Sequence, residues 1–367
     1  TGMSISDVDA FNGNVTVTLS VGEGIITVAE GTNTVSVSNS GTSSVTLTGT
    51  VTEINNLLAG LNSGTITYND PLDAPATSTT ITLLVNDQGN TGSGGALTNS
   101  VARTINIAAV NDAPVLTGTV ATSYTENAAS VALVTGATIS DIDNVTNFNT
   151  GTLTTSFASY VTGDQFSINN QGVGAGQIGV SGANVTYAGV TIGTFTGGNG
   201  SNLVVTFNSS ATPAAVQALI GQLRYASTSE DPTTGGTANS RAVTVTFNDG
   251  GNIGTGGALT SAITGTLNIT AIDDAPTLTA TGTNGTFTEN GSATPVFSGA
   301  SVSTIETGQN ITSLTFTVSG LVNGTSEKIN VDGTTITLTN GTGTTTTNGM
   351  TYNVTVSSGT ATVVLTK

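Results

Sequence analysis

Short apolar runs that alternate with threonine or serine occur along the whole chain. Examples are "VTVTLSV" (15–21), "VTVTFND" (243–249) and "LTFTVSGL" (314–321). Period-two alternation in β-branched residues predicts strands that are half-buried in antiparallel sheets. Clusters of Gly, Asn, Asp and Ser between the runs predict turns. The chain is therefore predicted to be mostly β-structure.

Two apolar runs have helical spacing instead, "INNLLAGL" (54–61) and "VQALIGQL" (216–223). Each places four apolar residues on one helix face: Ile54, Leu57, Leu58 and Leu61 in the first, and Val216, Leu219, Ile220 and Leu223 in the second. Thr212 is a candidate N-cap with Pro213 in the first turn. Two helical turns are not stable alone, so each helix should dock on a β-sandwich.

Several motifs return along the chain. "ISDVD" (5–9) returns as "ISDID" (139–143), "AVNDAPVL" (109–116) as "AIDDAPTL" (271–278), and "YTEN" (124–127) as "FTEN" (287–290). The spacing from Asp9 to Asp70 is 61 residues, whereas the spacing from Asp143 to Asp231 is 88. The second copy therefore carries an insertion of about 27 residues near 160–200, where extra strands or a long hairpin would be tolerated on the surface.

The repeats predict three domains: 1–110, a sandwich that lacks its first strand; 113–272, a complete sandwich with the insertion; and 275–367, a third sandwich truncated at its C-terminal side. We call these domains one, two and three. The predicted fold class is all-β, with tandem Greek-key sandwiches end to end and a short helix before the last strands of each complete one.

Charge narrows the possible partners. The chain has 22 acidic and 5 basic residues and a formal net charge of −17. Phosphate backbones and anionic membranes repel such a surface, so nucleic acid is excluded as a partner. Histidine and cysteine are both absent, which removes imidazole and thiolate metal sites, a histidine base, a cysteine nucleophile and disulfides. Calcium, which prefers oxygen ligands, remains as the expected cofactor.

Most of the acids lie in recurring motifs or their third-copy equivalents. Fifteen of the 22 do so: Asp7, Asp9, Asp70, Asp87, Asp112, Glu126, Asp141, Asp143, Glu230, Asp231, Asp249, Asp273, Asp274, Glu289 and Glu306. A single Asp in a turn often bonds only its own backbone. Recurrence on both sides of each domain boundary favours a bound cation, because clustered carboxylates repel one another.

The motifs "SDVD", "VNDAPV" and "TEN", with a tyrosine after the short helix, resemble the cadherin-like repeats of large bacterial surface proteins, including repeats-in-toxin type adhesins. The resemblance covers nearly the whole chain. It implies calcium between consecutive sandwiches. One domain supplies acids in its first strand, before its sixth strand and in the linker. The next supplies an Asp-x-Asp motif and the Asp that closes its sixth strand.

The resemblance assigns ligands residue by residue. For the first junction they are Asp70, Asn111, Asp112, Asp141, Asp143 and Asp249. For the second they are Glu126, Glu230, Asp231, Asp273, Asp274 and Glu306, and for a junction upstream they are Asp7, Asp9 and Asp87. Thr304 and Glu306 stand where Asp141 and Asp143 stand one copy earlier. Since ligand number and charge set calcium affinity, the first junction is expected to bind calcium more tightly.

The expected function is that of a structural stalk or filament segment of a secreted bacterial surface protein, rigidified by interdomain calcium and supporting adhesion. Its expected partners are calcium, the neighbouring domains of the same long chain and copies of itself in a fibre. Two alternatives stay open: a subunit that assembles into a fibre or surface layer through sandwich edges, and an adhesin module that binds a ligand through the insertion. The first residues resemble the middle of a domain, and no apolar run is long enough to span a membrane.

An enzyme is not expected. Paired carboxylates can hydrolyse glycosides, but these lie at predicted boundaries and the chain has no Trp. Tyr68 and Tyr225 are interpreted as core residues. Arg103, Arg224 and Arg241 are interpreted as surface or strand-edge charges.

Overall fold

The computed structural model describes residues 2–91, 93–144, 146–251 and 253–367. In these residues the chain is all-β apart from short helices, and its sheets form tandem β-sandwiches, as predicted. No helix among them is long and apolar enough to cross a membrane. The hydrophobic core residues fall into separate clusters that lie within 5–105, 116–269 and 316–365. The domain boundaries themselves stay a prediction.

Domain one contains one larger sheet with the order β3-β4-β1-β6-β7 and a second sheet of β2 and β5. The elements are β1 (Asn14–Val21), β2 (Ile25–Ala29), β3 (Ser36–Ser38), β4 (Ser44–Thr50), α1 (Val51–Leu58), β5 (Thr65–Asn69), β6 (Ser78–Asn86) and β7 (Thr98–Asn106). In β1 the buried residues Val15, Val17 and Leu19 alternate with threonines. This is the predicted period of two.

Domain two has a sheet with the order β14-β15-β16-β17-β12-β19-β20-β9, a sheet with the order β10-β18-β13, and the pair β8-β11. Its elements are β8 (Val115–Val120), β9 (Ser123–Thr125), β10 (Val131–Ala132), β11 (Val134–Ser140), β12 (Thr152–Phe157), β13 (Asp164–Ile168), β14 (Ile178–Ser181), β15 (Asn184–Tyr187), β16 (Val190–Gly197), β17 (Leu203–Phe207), α2 (Pro213–Ile220), β18 (Leu223–Ser227), β19 (Ser240–Asn248) and β20 (Thr260–Thr270).

The predicted insertion extends the larger sheet of domain two. β14 and β15 form a hairpin that pairs with β16, which in turn pairs with β17. Ile178, Val185 and Ile192 from these strands are fully buried in the core of domain two. The insertion therefore contributes apolar residues to the core of domain two.

Domain three contains the pair β21-β22, a sheet with the order β23-β28-β27-β26, and the pair β24-β25. Its elements are β21 (Thr277–Gly282), β22 (Phe297–Ser303), β23 (Ser313–Ser319), a 3-10 turn (Gly324–Ser326), β24 (Lys328–Val331), β25 (Thr334–Thr337), β26 (Gly341–Thr344), β27 (Thr351–Ser357) and β28 (Thr360–Thr366).

Both predicted helices exist, but α1 begins before the predicted apolar run and both helices end before its last residue. α1 begins three residues early because Thr50 and Glu53 form a capping box: each side chain bonds the backbone N–H of the other residue. The helix ends at Leu58, since Gly60 turns the chain at a φ of +72°. Leu61 therefore lies outside the helix and is exposed.

In α2, Thr212 caps the first turn by accepting from the Ala215 N–H, and Pro213 is its first residue, as predicted. The helix ends at Ile220, so Leu223 is not part of the helix. It starts β18 instead, where its side chain is fully buried. A buried strand residue at this spacing is indistinguishable in sequence from the fourth residue of a helix face.

Candidate metal centre

The candidate ligands that flank β19 in the sequence lie at its two ends. Glu230 and Asp231 lie in the segment that leads to Ser240, where β19 begins, and Asp249 follows Asn248, where it ends. Nine residues of antiparallel strand span roughly 30 Å. The two groups of candidate ligands are therefore separated by the length of this strand, one towards each neighbouring domain.

Three carboxylates converge at the second junction. One oxygen each of Glu126, Glu230 and Asp274 lies within 4.8 Å of the other two. Glu126 follows β9 and is held by the Ile272 N–H, which donates to Glu126 Oε2 at 2.7 Å. Asp274 lies in the linker, two residues beyond Ile272. The local bond between the linker and Glu126 thus brings the first-strand acid next to the linker acid.

At this junction three buried carboxylate oxygens have no hydrogen-bond partner among the described residues. They are Glu126 Oε1, Asp274 Oδ2 and Glu306 Oε2. Burying a carboxylate oxygen without a hydrogen bond is unfavourable. Burial raises the pKa of Glu126 above its ordinary value, and the charges of Asp274 and Glu230 raise it further. The hydrogen bond from the Ile272 N–H lowers this pKa but does not cancel the increase. Burial, followed by Glu230 and Glu306, raises the pKa of Asp274 likewise.

Hydrogen bonds join domain three to the linker and to the loop of domain two that carries Asp231. The Asp274 N–H donates to Glu306 Oε1, and the Thr307 N–H donates to Asp231 Oδ2 at 2.8 Å. The Gln309 side chain donates to Asp273 Oδ1 at 2.7 Å. Burial alone would raise the pKa of Asp231, but the hydrogen bonds from Thr307 and Gly235 hold it below its ordinary value. Asp231 thus tethers the two domains by hydrogen bonds.

The backbone of Gly235 closely approaches Thr307 across this junction. A Cβ placed on Gly235 would lie 2.4 Å from the Thr307 carbonyl oxygen, whereas one on Gly236 would meet nothing nearer than 4.0 Å. Both residues have positive φ, so alanine strains the backbone at each. We expect Gly235→Ala to break the Thr307–Asp231 bond and to speed proteolysis of the 271–276 linker several-fold. Gly236→Ala is the matched control, and equal cleavage of both variants would refute the contact.

A buried ion pair supports the loop that carries Glu230 and Asp231. Arg241 Nε lies 2.8 Å from Asp164 Oδ2, with the side chains 2% and 0% exposed. The same guanidinium donates to the Pro232 carbonyl at 2.7 Å, and Tyr225 Oη donates to Asp164 Oδ1 at 2.7 Å. The interpretation of Arg241 as a surface charge was therefore wrong. Its strand position gives an inward side chain, and Asp164, 77 residues away, compensates its charge.

At the first junction the Asp-x-Asp motif meets the linker. The Asp112 N–H donates to Asp143 Oδ2 at 2.6 Å. This is the same arrangement as Asp274 with Glu306 one repeat later, so Glu306 takes the structural position of Asp143. Asp141 bonds its own loop, since Asp141 Oδ1 accepts from the N–H groups of Asp143 and Asn144.

Asn111 and Asp249 form the buried part of the first junction. The Asn111 side chain donates to Asp249 Oδ2 at 2.8 Å, and Asp249 Oδ1 accepts from the N–H groups of Gly251 and Leu259. Among the described residues, the buried side-chain oxygens without a hydrogen-bond partner at this junction are amide oxygens, Asn111 Oδ1 and Asn144 Oδ1. Amide oxygens are also calcium ligands. Asn144 follows the Asp-x-Asp motif directly and was missed because only the two acids of that motif were considered as ligands.

Asp70, the domain-one acid predicted for the first junction, accepts from Tyr68 Oη and from the Leu72 N–H, and its role as a ligand stays a prediction. Burial raises the pKa of Asp112, and the charges of Asp143, Asp73 and Asp141 raise it further. Glu23 holds the loop that contains Asp73 by accepting from the Ala76 N–H at 2.8 Å. Neither Asp73 nor Glu23 recurs in domain two, so the repeats gave no signal for them.

Asp7, Asp9 and Asp87 lie together at the other end of domain one. The Asp9 N–H donates to Asp7 Oδ1 at 3.1 Å, as Asp143 does to Asp141. Hydrogen bonds from Asp9 lower the pKa of Asp7. The bond to Asp7, together with the charges of Asp7 and Asp87, raises the pKa of Asp9. Asp87 closes the loop before β7 by accepting from the Leu97 N–H at 2.7 Å, the counterpart of Asp249 with Leu259.

Residues 1–110 contain no "TEN" motif that corresponds to the one carrying Glu126. Among the described residues, only Glu126, Glu230 and Asp274 bring three carboxylates so close. This geometry favours tighter calcium binding at the second junction, whereas the ligand types predicted tighter binding at the first. The predicted order of affinities stays a prediction.

The raised pKa of Glu126 predicts a pH dependence. Without metal, a carboxyl group whose pKa is raised by folding stabilises the protein below its ordinary pKa, and this stabilisation is lost as the pH rises through the raised value. In chelator, wild type should therefore lose Tm relative to Glu126→Gln as the pH rises from about 4 to 8. Calcium should reverse the trend, because it binds the charged form. A Tm difference that does not change with pH would contradict the raised pKa.

Comparison with protein-family models and with curated proteins gives no match. Comparison with solved structures gives extracellular cadherin domains. Domains 3–6 of protocadherin gamma B2 are 13% identical over 84% of this chain and 56% of that one, with a TM-score of 0.23. Domains 22–24 of mouse cadherin-23 are 10% identical over 95% and 75%, with a TM-score of 0.27.

The human desmocollin-1 ectodomain is 13% identical over 100% of this chain and 49% of that one, with a TM-score of 0.22. This chain thus covers about half the length of the protocadherin and desmocollin fragments.

Proposed function

We propose that this chain is a structural stalk segment of a secreted bacterial surface protein, in which calcium at the domain junctions stiffens a row of cadherin-like sandwiches. The observation that carries the proposal is the group of Glu126, Glu230 and Asp274, whose oxygens converge within 4.8 Å. Two of these residues hold buried oxygens without a hydrogen-bond partner among the described residues.

The donor set fits calcium. Calcium takes six to eight oxygen ligands from carboxylates, carbonyls, amide side chains and water at about 2.3–2.6 Å. Glu126, Glu230 and Asp274 would hold the ion, with Glu306 beside them and water completing the shell. The chain has no histidine or cysteine, the ligands that zinc and copper prefer. A bound cation would also remove the repulsion that raises the pKa values of Glu126 and Asp274.

The position of the group explains why an ion here would act on stiffness. Glu126 and Glu230 belong to domain two, Asp274 belongs to the linker, and Glu306 belongs to domain three, where it accepts from the Asp274 N–H. An ion bound to this set links the rigid end of domain two to the start of domain three. The linker could then no longer swivel freely about Asp273 and Ala275.

Calcium should control interdomain order more than the fold of each sandwich. Extracellular calcium modules bind at about 10⁻⁴–10⁻³ M, and one site at tenfold excess over its constant adds only about 1.4 kcal/mol. We expect chelator to change the maximum dimension of the whole chain in small-angle X-ray scattering while the far-ultraviolet circular dichroism stays the same. An unchanged maximum dimension would count against calcium stiffening.

A further inference from the structure

Four buried polar side chains of domain two form one connected group. They belong to Tyr124, Asp164, Tyr225 and Arg241, each at most 2% exposed, and we call them the brace. Asp164 accepts from Tyr225 Oη at 2.7 Å and from Arg241 Nε at 2.8 Å. The rings of Tyr124 and Tyr225 meet edge to face with their centroids 5.0 Å apart. Burial, and then the bond to Asp164, raise the pKa of Tyr225, so its hydroxyl keeps its proton and stays a donor.

Arg241 holds the chain on the C-terminal side of the candidate ligands Glu230 and Asp231. Its Nη2 donates to the Pro232 carbonyl at 2.7 Å, and its Nη1 donates to the Ala238 carbonyl at 2.8 Å. Pro232 follows Asp231 directly in the sequence. One guanidinium, itself fixed by Asp164, therefore closes the loop that begins at these two ligands.

Tyr124 holds the chain on the N-terminal side of the same ligands. Its hydroxyl donates to the Ser227 and Ala128 carbonyls, each at 3.3 Å, which is the length of a shared bond. Ser227 Oγ in turn accepts from the Ser229 N–H at 3.1 Å, and Ser229 Oγ accepts from the Asp231 N–H at 3.1 Å. Consecutive local bonds thus lead from the Tyr124 hydroxyl to Asp231.

The same tyrosine belongs to the segment that carries Glu126. Tyr124 lies in β9, and Glu126 follows that strand directly. The Glu126 N–H donates to the Thr270 carbonyl at 2.9 Å, and Ala128, which accepts from the tyrosine hydroxyl, lies two residues further on. Tyr124 therefore joins the segment of Glu126 to the segment of Glu230.

The fold of a sandwich in this chain does not depend on the brace. Thr79 stands eight residues before Asp87, as Arg241 stands eight residues before Asp249, and domain one forms its sheets without an arginine at this place. A buried ion pair is weak evidence for stability, because the desolvation of both charges offsets their attraction. A role in placing the ligands explains why domain two contains the pair.

We propose that the brace preorganises the second junction for calcium, by holding Glu126 and Glu230 at the distance from each other that one ion requires. This inference rests on the proposed calcium site. The ligand carboxylates repel one another, so segments without the brace would let them move apart, and the ion would have to gather them at a cost in affinity. The members of the brace are positioning residues, since their polar atoms bond groups within domain two.

Tyr124→Phe is the smallest test, because it removes the hydroxyl and keeps the ring. We measure the calcium concentration that half-protects the 271–276 linker of the full chain from a broad-specificity protease. It should rise about threefold, the value of one modest hydrogen bond. Tyr160→Phe is the matched control, since the Tyr160 hydroxyl donates to Asn202 Oδ1 at 2.9 Å, outside the brace. It should leave this concentration unchanged.

Asp164→Leu with Arg241→Met removes the ion pair and substitutes apolar residues of similar volume. Groups that orient metal ligands typically contribute a factor of ten or more to affinity. The half-protecting calcium concentration should therefore rise about tenfold, while the urea midpoint in chelator stays near that of wild type. If this double variant does not fold, Tyr124→Phe alone decides.

A role of the brace in stability alone would lower the urea midpoint and leave the half-protecting calcium concentration unchanged in Tyr124→Phe, and this result would overturn the inference. An equal rise for Tyr124→Phe and Tyr160→Phe would overturn it as well. Failure of the proposed function looks different, because calcium would then protect the linker neither in wild type nor in any variant.

Discussion

Asp164→Ala is expected to lower the free energy of unfolding of domain two by about 3–5 kcal/mol. The substitution leaves Arg241 buried at 2% exposure without its partner charge, and Tyr225 Oη loses its acceptor. It also frees the Val161 N–H, which donates to Asp164 Oδ2 at 2.7 Å. A buried charge without a partner is among the most destabilising changes that one substitution can make.

The measurement is urea unfolding followed by tyrosine fluorescence, since four of the six tyrosines lie in domain two: Tyr124, Tyr160, Tyr187 and Tyr225. The control replaces both partners, Asp164→Leu with Arg241→Met. Apolar residues of similar volume often replace a buried pair without loss, so the double variant should unfold near the wild-type midpoint. A single variant as stable as wild type would show that Asp164 and Arg241 do not form a buried pair.

Glu126→Gln is expected to have two opposite effects at the second junction. The glutamine keeps an oxygen that can accept from the Ile272 N–H, so the local bond survives. Loss of the negative charge relieves the repulsion from Asp274 and Glu230, so the metal-free chain should become slightly more stable. Loss of a charged ligand should weaken calcium binding at this junction by at least about tenfold, because ligand charge sets affinity.

Calorimetric titration of the full chain with calcium measures the second effect, and Tm in chelator measures the first. Glu289→Gln is the matched control, since Glu289 occupies the same place in the repeated "TEN" motif but is exposed and lies outside this group. It should leave both quantities unchanged. A Glu126 residue with a purely structural role would give a lower Tm and an unchanged calcium isotherm.

The β-structure and most of the candidate ligands were predictable because each depends on a local pattern. Alternation identifies strands such as β1 from a few residues, and fixed offsets identify Asp112 and Asp274 as equivalent. Positions that are equivalent in the repeat make the same contact even where the residue differs: Glu306 accepts from the N–H of linker residue Asp274, as Asp143 accepts from that of Asp112. The capping box of Thr50 and Glu53 was present in the sequence and would have set the start of α1.

The remaining features depend on distant residues. No local pattern links Asp164 to Arg241, and an arginine on the inner face of a strand resembles one on the outer face until its partner is known. The bond from the Ala76 N–H to Glu23 also joins residues that are distant in sequence, and Glu23 occurs in one copy only, so the repeats gave no signal for it.

The central claim is tested most directly by an anomalous difference map from crystals of the full chain grown with about 10 mM calcium, well above the constants of extracellular modules. The account predicts a peak at the second junction within about 2.3–2.6 Å of oxygens from Glu126, Glu230 and Asp274. A map with no peak there, and with the three carboxylates bonded to protein groups or to water alone, would contradict it.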